Sequence, residues 1–153
     1  MDRQQLLSKI DKAWTELKAS YEGLTDAQLE EPGVVEEWSV RDVLAHVTTW
    51  EEEALKSLPV ILEGRKPPKY SAQYGGIDAF NAMASERKRG LSMSDVLSQM
   101  DATHEDLIEY LGNVPEEQFI RDSPFRHRLR LDTYSHYPLH ARMIREWRER
   151  VVA

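Results

Sequence analysis

Apolar residues recur along the chain at three- and four-residue steps nearly throughout, the period of an amphipathic helix rather than of a strand. In the first stretch Leu6, Leu7, Ile10, Trp14, Leu17 and Tyr21 form one stripe. Thr25 and Gln28 then stand at capping-box spacing for a short turn, and Pro32-Gly33 breaks the chain. Ser39 is a good N-cap for a second helix, with Asp42 suited to the positive end of its dipole. Val40, Val43, Leu44, Val47, Trp50, Ala54, Leu55 and Leu58 carry its apolar face up to Pro59. A run from Gly64 through Pro67-Pro68 to Gly75-Gly76 reads as a long loop, extended or polyproline-like.

A third helical region opens near Ile77 or Asp78 and includes Phe80, Met83 and Ala84. Gly90 interrupts it, and Ser92 or Ser94 caps a restart that runs through Val96, Leu97, Met100, Thr103, Leu107, Ile108 and Leu111 to Gly112. Pro115-Glu116-Glu117 begins a short turn, and Phe125 to Arg130 alternates like an extended connector. The last helix is predicted from Asp132 or Thr133 to Val151, with Tyr134, Leu139, Met143, Ile144 and Trp147 inside. With no strand ladder and no repeat, the pattern predicts an all-α protein, an up-down four-helix bundle with decorated loops, as one domain over residues 1–153.

Composition narrows the chemistry. There is no cysteine, which removes disulfides, thiolate nucleophiles and thiolate-rich zinc sites, so any metal must take nitrogen and oxygen ligands. A net charge of −7 argues against a general phosphate-backbone binder, and the expectation is no nucleic-acid partner. Arginines cluster late (Arg121, Arg126, Arg128, Arg130, Arg142, Arg145, Arg148, Arg150), which reads as a solvated helix face or a local anion patch. No apolar run reaches the ~18 residues of a membrane span, and the first residues lack the pattern of an export signal. A cytoplasmic protein is expected.

The histidines carry the functional signal. His136 and His140 are four apart, so on a helix both rings project from one face, the simplest helical clamp for a metal. His46 sits among Val43, Val47 and Trp50 on the inner face of the second helix. Each alone reads more readily as a hydrogen-bonded core residue than as a ligand. Together, on facing helices of a bundle, they make an open metal site with three imidazoles. Pro138 lies between the paired histidines and is expected to kink the second turn of the last helix. His104 and His127 read as exposed or capping residues, His127 near a pocket mouth. Asp42 and Glu53 lie at helical distances from His46; Asp42 suits an orienting acceptor or a dipole partner, and Glu53 a catalytic base or a solvated charge. Trp38, Trp50 and Tyr134 are candidates for pocket walls.

The stretch from Glu31 to Glu51, with Trp38-Ser39 and His46 seven residues after Ser39, resembles the second-helix signature of DinB-like four-helix bundle proteins. Tyr134 to Trp147 resembles their last-helix His-x-x-x-His, and Gly75 to Asn81 with Arg130 to Pro138 resembles the ClbS/DfsB branch. The resemblance implies a divalent metal (zinc, nickel or iron) on His46, His136 and His140, with water completing the shell. It also implies low-molecular-weight thiol cosubstrates in some relatives, such as mycothiol-dependent isomerases and bacillithiol transferases. The ClbS-type branch includes a hydrolase that opens a cyclopropane warhead. The expected function is therefore a metal-dependent enzyme that activates water or a thiol against an electrophilic small molecule. The alternative is a module that binds or sequesters a small molecule or toxin. Dimerisation is common in such bundles.

Overall fold

In the computed structural model, which describes residues 1–152, the backbone is helical with no strand among the described residues. The order is α1 (Arg3–Ser20), α2 (Asp26–Leu29), α3 (Val40–Leu62), α4 (Tyr70–Gln73), α5 (Ile77–Lys88), α6 (Met93–Gly112), α7 (Glu117–Ile120), α8 (Pro124–Asp132) and α9 (His136–Val151). The long helices α1, α3, α6 and the α8–α9 pair form the four columns of a bundle. Helix α3 is its centre and packs on α5, α6, α8 and α9, while α1 packs chiefly on α9. Leu6, Ile10, Leu44, Val47, Met100, Leu107, Ile144 and Trp147 are among the side chains that close the core. No helix among the described residues is long and apolar enough to cross a membrane.

The helix starts follow local chemistry. Thr25 and Ser39 each form a reciprocal capping box, with Gln28 and Asp42 respectively, and Ser92 caps α6 through the Asp95 amide. Asp42 is thus engaged at the N-terminus of α3, where its Oδ2 accepts from the Ser39 amide (3.0 Å). Just before it, the chain turns tightly at Val35–Trp38, with Glu36 in the left-handed region (φ 53°).

Three expectations are corrected. First, Phe125 to Arg130 is not an extended connector but the body of α8. Ser123 Oγ accepts from the Arg126 amide (3.1 Å) and Pro124 occupies the first turn, where its missing N–H costs nothing. Phe125, Leu129 and Asp132 are the residues buried, at steps of four and three. The sequence alternation was a coincidence of Arg and apolar residues.

Second, the last column is broken, and α9 starts at His136 rather than at Asp132 or Thr133. Thr133 adopts φ −128°, ψ −96°, and its hydroxyl donates to the Leu129 carbonyl (2.6 Å). Pro138 therefore falls in the first turn of α9, where no intrahelical amide bond is lost, and it does not kink a second turn. With this phase Tyr137, His140, Ala141, Ile144 and Trp147 are buried, and Leu139, expected inside, is 39% exposed.

Third, the Gly64–Gly76 loop contains a helical turn, α4. Gly75 and Gly76 (φ 86° and 126°) supply the left-handed backbone that leads into α5. Phe80 meets Tyr70 and Tyr74 edge to face there, the two tyrosine rings stack on each other, and Trp50 packs against Tyr70 and Phe80.

Arg41, at the start of α3, ties this helix to the α5–α6 junction. Its side chain is 7% exposed. It donates to the carbonyls of Lys88 (2.7 Å), Arg89 (3.0 Å) and Leu91 (3.1 Å), which end α5 and lead into α6. Arg41→Ala is expected to lower unfolding free energy by about 2–3 kcal/mol, the scale of charge-assisted bonds to buried carbonyls. Urea unfolding followed by circular dichroism measures it; a loss below about 0.5 kcal/mol, the size of an ordinary surface change, would contradict this role.

Candidate metal centre

His46 projects from the second turn of α3 and His136 and His140 from the first turns of α9, and the three rings meet. His136 Nε2 lies 3.2 Å from His46 Nε2 and 3.0 Å from His140 Nε2. One nitrogen from each of the three lies within 4.8 Å of the others. His140 is buried and the other two are half-buried. The rings stand steeply to one another, at 69–82°, so edges rather than faces converge. Trp38 closes one side, its ring centroid 5.0 Å from that of His46.

This convergence is unsatisfactory for neutral imidazoles alone. Each ring nitrogen offers either one hydrogen or one lone pair. His136 Nε2 therefore has only one hydrogen or one lone pair to share between two close neighbours, and neither contact is a full hydrogen bond. A cation between three lone pairs removes the conflict. Imidazole nitrogens bound tetrahedrally at about 2.0–2.1 Å lie roughly 3.3 Å from each other, close to the separations here. The donor set fits a divalent ion.

Electrostatics point the same way. Burial lowers the pKa of His46 to about 3, with His140 and Lys88 adding repulsion. It lowers that of His136 to about 2, with His140 and His46 adding to it, and that of His140 to about 4. The rings are thus neutral near pH 7 and their lone pairs are available. The outer nitrogens, Nδ1 of His136 and of His140, are buried with no hydrogen-bond partner among the described residues. Asp42, occupied at the N-cap of α3, is paired with Ser39 and Arg41 instead.

A cavity of about 310 Å³ opens beside His46 and His136. Trp50, Ile77 and Leu131 give it apolar walls; Tyr70, Asn81, Arg128 and Asp132 give it polar ones. The polar groups are chained. Trp50 Nε1 donates to Asn81 (2.8 Å), and Arg128 donates to Asp132 Oδ2 (2.6 Å) and to the Tyr70 hydroxyl (2.8 Å). That hydroxyl donates to Glu53 Oε1 (3.0 Å), whose other oxygen accepts from Lys56 (3.0 Å). Burial raises the Asp132 carboxyl to about 6 despite the opposing pull of Arg128.

Of the residues singled out from sequence, the three histidines, Trp38 and Trp50 are brought together. Glu53 is buried behind Tyr70 rather than among the residues lining the cavity. Tyr134 faces a different cleft, with Asp122, Arg126, His127 and Arg130. His104 is not an exposed or capping residue: its ring stacks on Trp14 (3.7 Å, 1°) and its Nδ1 lies 2.7 Å from Glu51 Oε2. Sequence reasoning missed Tyr70, Asn81, Arg128 and Asp132 as lining residues. For two of them a signal was present: Arg128, Asp132, His136 and His140 recur every four residues.

An all-α bundle whose inner α3 and α9 faces bring three histidines to one cavity is a protein of the DinB-like class. Residues 10–126 match the mycothiol maleylpyruvate isomerase N-terminal domain, and the chain belongs to that family. The matched span includes His46 and ends before His136 and His140. No curated protein matches the chain in sequence. Among solved structures, the chain is similar to DfsB, described as a sibling lethal factor precursor, at 14% identity and TM-score 0.82, over 98% of this chain and 96% of that one. It is similar to the colibactin self-resistance protein ClbS, solved in complex with a dsDNA, at 13% identity and TM-score 0.81, over 99% and 98%. A Streptococcus pneumoniae protein aligns at 11% identity and TM-score 0.83, over 99% and 93%. At these identities the likeness is one of fold.

The lowered histidine pKa values have a sign. A histidine whose folded pKa lies below 6.5 binds fewer protons folded than unfolded, so stability is lost as pH falls from about 6.5 through the folded values. In chelator-containing buffer, Tm of the wild type is expected to fall more steeply between pH 6.5 and 4 than that of a His46→Gln/His136→Gln/His140→Gln variant. Differential scanning calorimetry across that range measures it, and parallel curves would refute the burial of neutral rings.

Proposed function

We propose that this chain, taken as one domain, is a metal-dependent enzyme that acts on an electrophilic small molecule, by hydrolysis or by thiol transfer. The observation that carries the reading is the convergence of three neutral imidazole edges on one point beside a cavity. His46, His136 and His140 would hold the ion, with nitrogen donors that suit zinc, nickel or iron. Such an ion, when bound, acts as a Lewis acid that brings the pKa of water from about 15.7 towards 7, or acidifies a low-molecular-weight thiol in the same way.

The remaining roles fall to the cavity walls. Trp50, Ile77 and Leu131 exclude water around a carbon skeleton, and Asn81 and Arg128 give it polar handles. Tyr70 Oη accepts from Arg128 and donates to Glu53, so a proton taken from the cavity at Tyr70 has Glu53 behind it. Glu53 then serves as a base through Tyr70 and not by direct contact with substrate.

The rival reading is a binding or sequestration module of the ClbS/DfsB type, which would use the same cavity without turnover. The expectation of no nucleic-acid partner stands in tension with the dsDNA bound to ClbS; the net charge of −7 supports the small-molecule reading.

Untagged protein reloaded with Zn²⁺, Ni²⁺ or Fe²⁺ is expected to hold about one ion per chain by elemental analysis, and His140→Ala to hold far less. No retained ion after reloading would sink the metal reading. A panel of electrophiles, offered with and without a thiol, is expected to yield product beyond one equivalent per chain; a ceiling at one equivalent favours sequestration. Tyr70→Phe is expected to keep the ion and lower kcat by about 100-fold, the lower end of general acid–base contributions. A short DNA duplex titrated in parallel is expected to leave tryptophan fluorescence unchanged.

A further inference from the structure

Away from the cavity, one carboxylate has been buried completely. Glu51 on α3 is 0% exposed. Its Oε2 accepts from the Tyr137 hydroxyl on α9 (2.7 Å) and lies 2.7 Å from His104 Nδ1 on α6, which donates to it. His104 in turn stacks face to face on Trp14 of α1, and Tyr137 meets that same indole edge-on (centroids 5.1 Å apart). Helices α1, α3, α6 and α9 therefore meet at a single polar knot. A buried carboxylate is costly, and an apolar side chain in its place would ordinarily serve stability as well or better. What an apolar side chain lacks is direction.

The direction matters because of Tyr137's neighbours. On a helix of 3.6 residues per turn, Tyr137 projects about 100° round from His136 and about 60° from His140. The hydroxyl is fully buried, so α9 cannot turn about its axis without parting it from its acceptor and leaving both groups unpaired in a dry core. The acceptor sits on α3, five residues after His46. One rigid helix thus carries both the third imidazole and the anchor that aims the other two.

We propose that Glu51 is a positioning residue for the histidine triad: with His104 holding its carboxylate, it fixes the rotation of α9 through Tyr137 and so aims His136 and His140 at His46. This rests on the metal reading for its consequence but not for its geometry. Glu51 and Tyr137 touch no substrate; they act through the backbone of α9.

The direct test is Tyr137→Phe, which removes one hydroxyl and keeps the ring that packs on Trp14. Its Co²⁺ affinity, from titration calorimetry, is expected to fall about tenfold or more, the scale on which supporting contacts to ligand histidines act. The visible spectrum of bound Co²⁺ is expected to change with it. A crystal structure of the metal-free variant is expected to show His46 Nε2 and His136 Nε2 further apart than the present 3.2 Å. Glu51→Gln, which keeps an acceptor for Tyr137, should retain most of the affinity, whereas Glu51→Leu should lose it. Tyr137→Phe with wild-type affinity and unmoved imidazoles overturns the proposal, as do equal affinities for the Gln and Leu variants. Should the wild type take up no Co²⁺, the metal reading falls, and the separation of the rings in metal-free Tyr137→Phe still decides the positioning role.

Discussion

The break between α8 and α9 is the constraint on which the site depends. A continuous helix over Pro124–Val151 would have to absorb Pro138 in its interior, losing an amide bond and crowding the carbonyl four residues back. Ending α8 at Asp132 moves Pro138 into a first turn, where neither cost arises. The break is held by bonds of its own: Thr133 Oγ1 donates to the Leu129 carbonyl, and the Ser135 amide returns to Arg130. Its consequence is that Arg128 and Asp132 from one segment, and His136 from the next, line one wall. The α8–α9 column bends around the cavity, which lies against α3 and α5.

Within that cavity, burial and pairing compete at each ionisable group, and the winner differs from residue to residue. For the histidines burial wins, since no acid pairs with them among the described residues; they are left as neutral donors. Burial also dominates at Asp132, where Arg128 offsets only part of it and the carboxyl titrates near 6. Arg128 is fixed between Asp132 and Tyr70 and lies over the rings of Trp50 and Tyr70, so its planar group is held in one orientation. The site combines a neutral, nitrogen-rich corner with a charged, hydrogen-bonded one. That division suits a ligand with one end to be activated and another to be held.

Much of this was legible in the sequence, and what was not has identifiable causes. The stripes of α1, α3 and α6 are long enough that helical period dominates, and Ser39 and Ser92 mark their starts by ordinary capping chemistry. His46, His136 and His140 were found because spacing alone puts each on an inner face. The region between Phe125 and Pro138 was misread because α8 is short: nine residues allow alternating Arg and apolar side chains to imitate a strand. Tyr70 and Asn81 reach the cavity from α4 and α5, and no periodicity within either segment points at a helix so distant in the chain. His104 escaped because its neighbours in sequence are acidic, while its partners, Trp14 and Glu51, belong to other helices.

The separation between core and cavity explains how such a bundle tolerates wide divergence. Leu6, Ile10, Leu44, Met100, Leu107 and Ile144 hold the columns together without touching the cavity, so a bundle of this shape survives at 11–14% identity. The cavity residues are under a different constraint. Trp50 bonds to Asn81, and Arg128 bonds to Tyr70 and Asp132, so the wall is held by side-chain bonds rather than by the apolar core. Fold likeness therefore says little about substrate. This chain sets a fixed guanidinium and an aromatic wall beside three converging histidines, and chemical specificity has to be sought in that pairing.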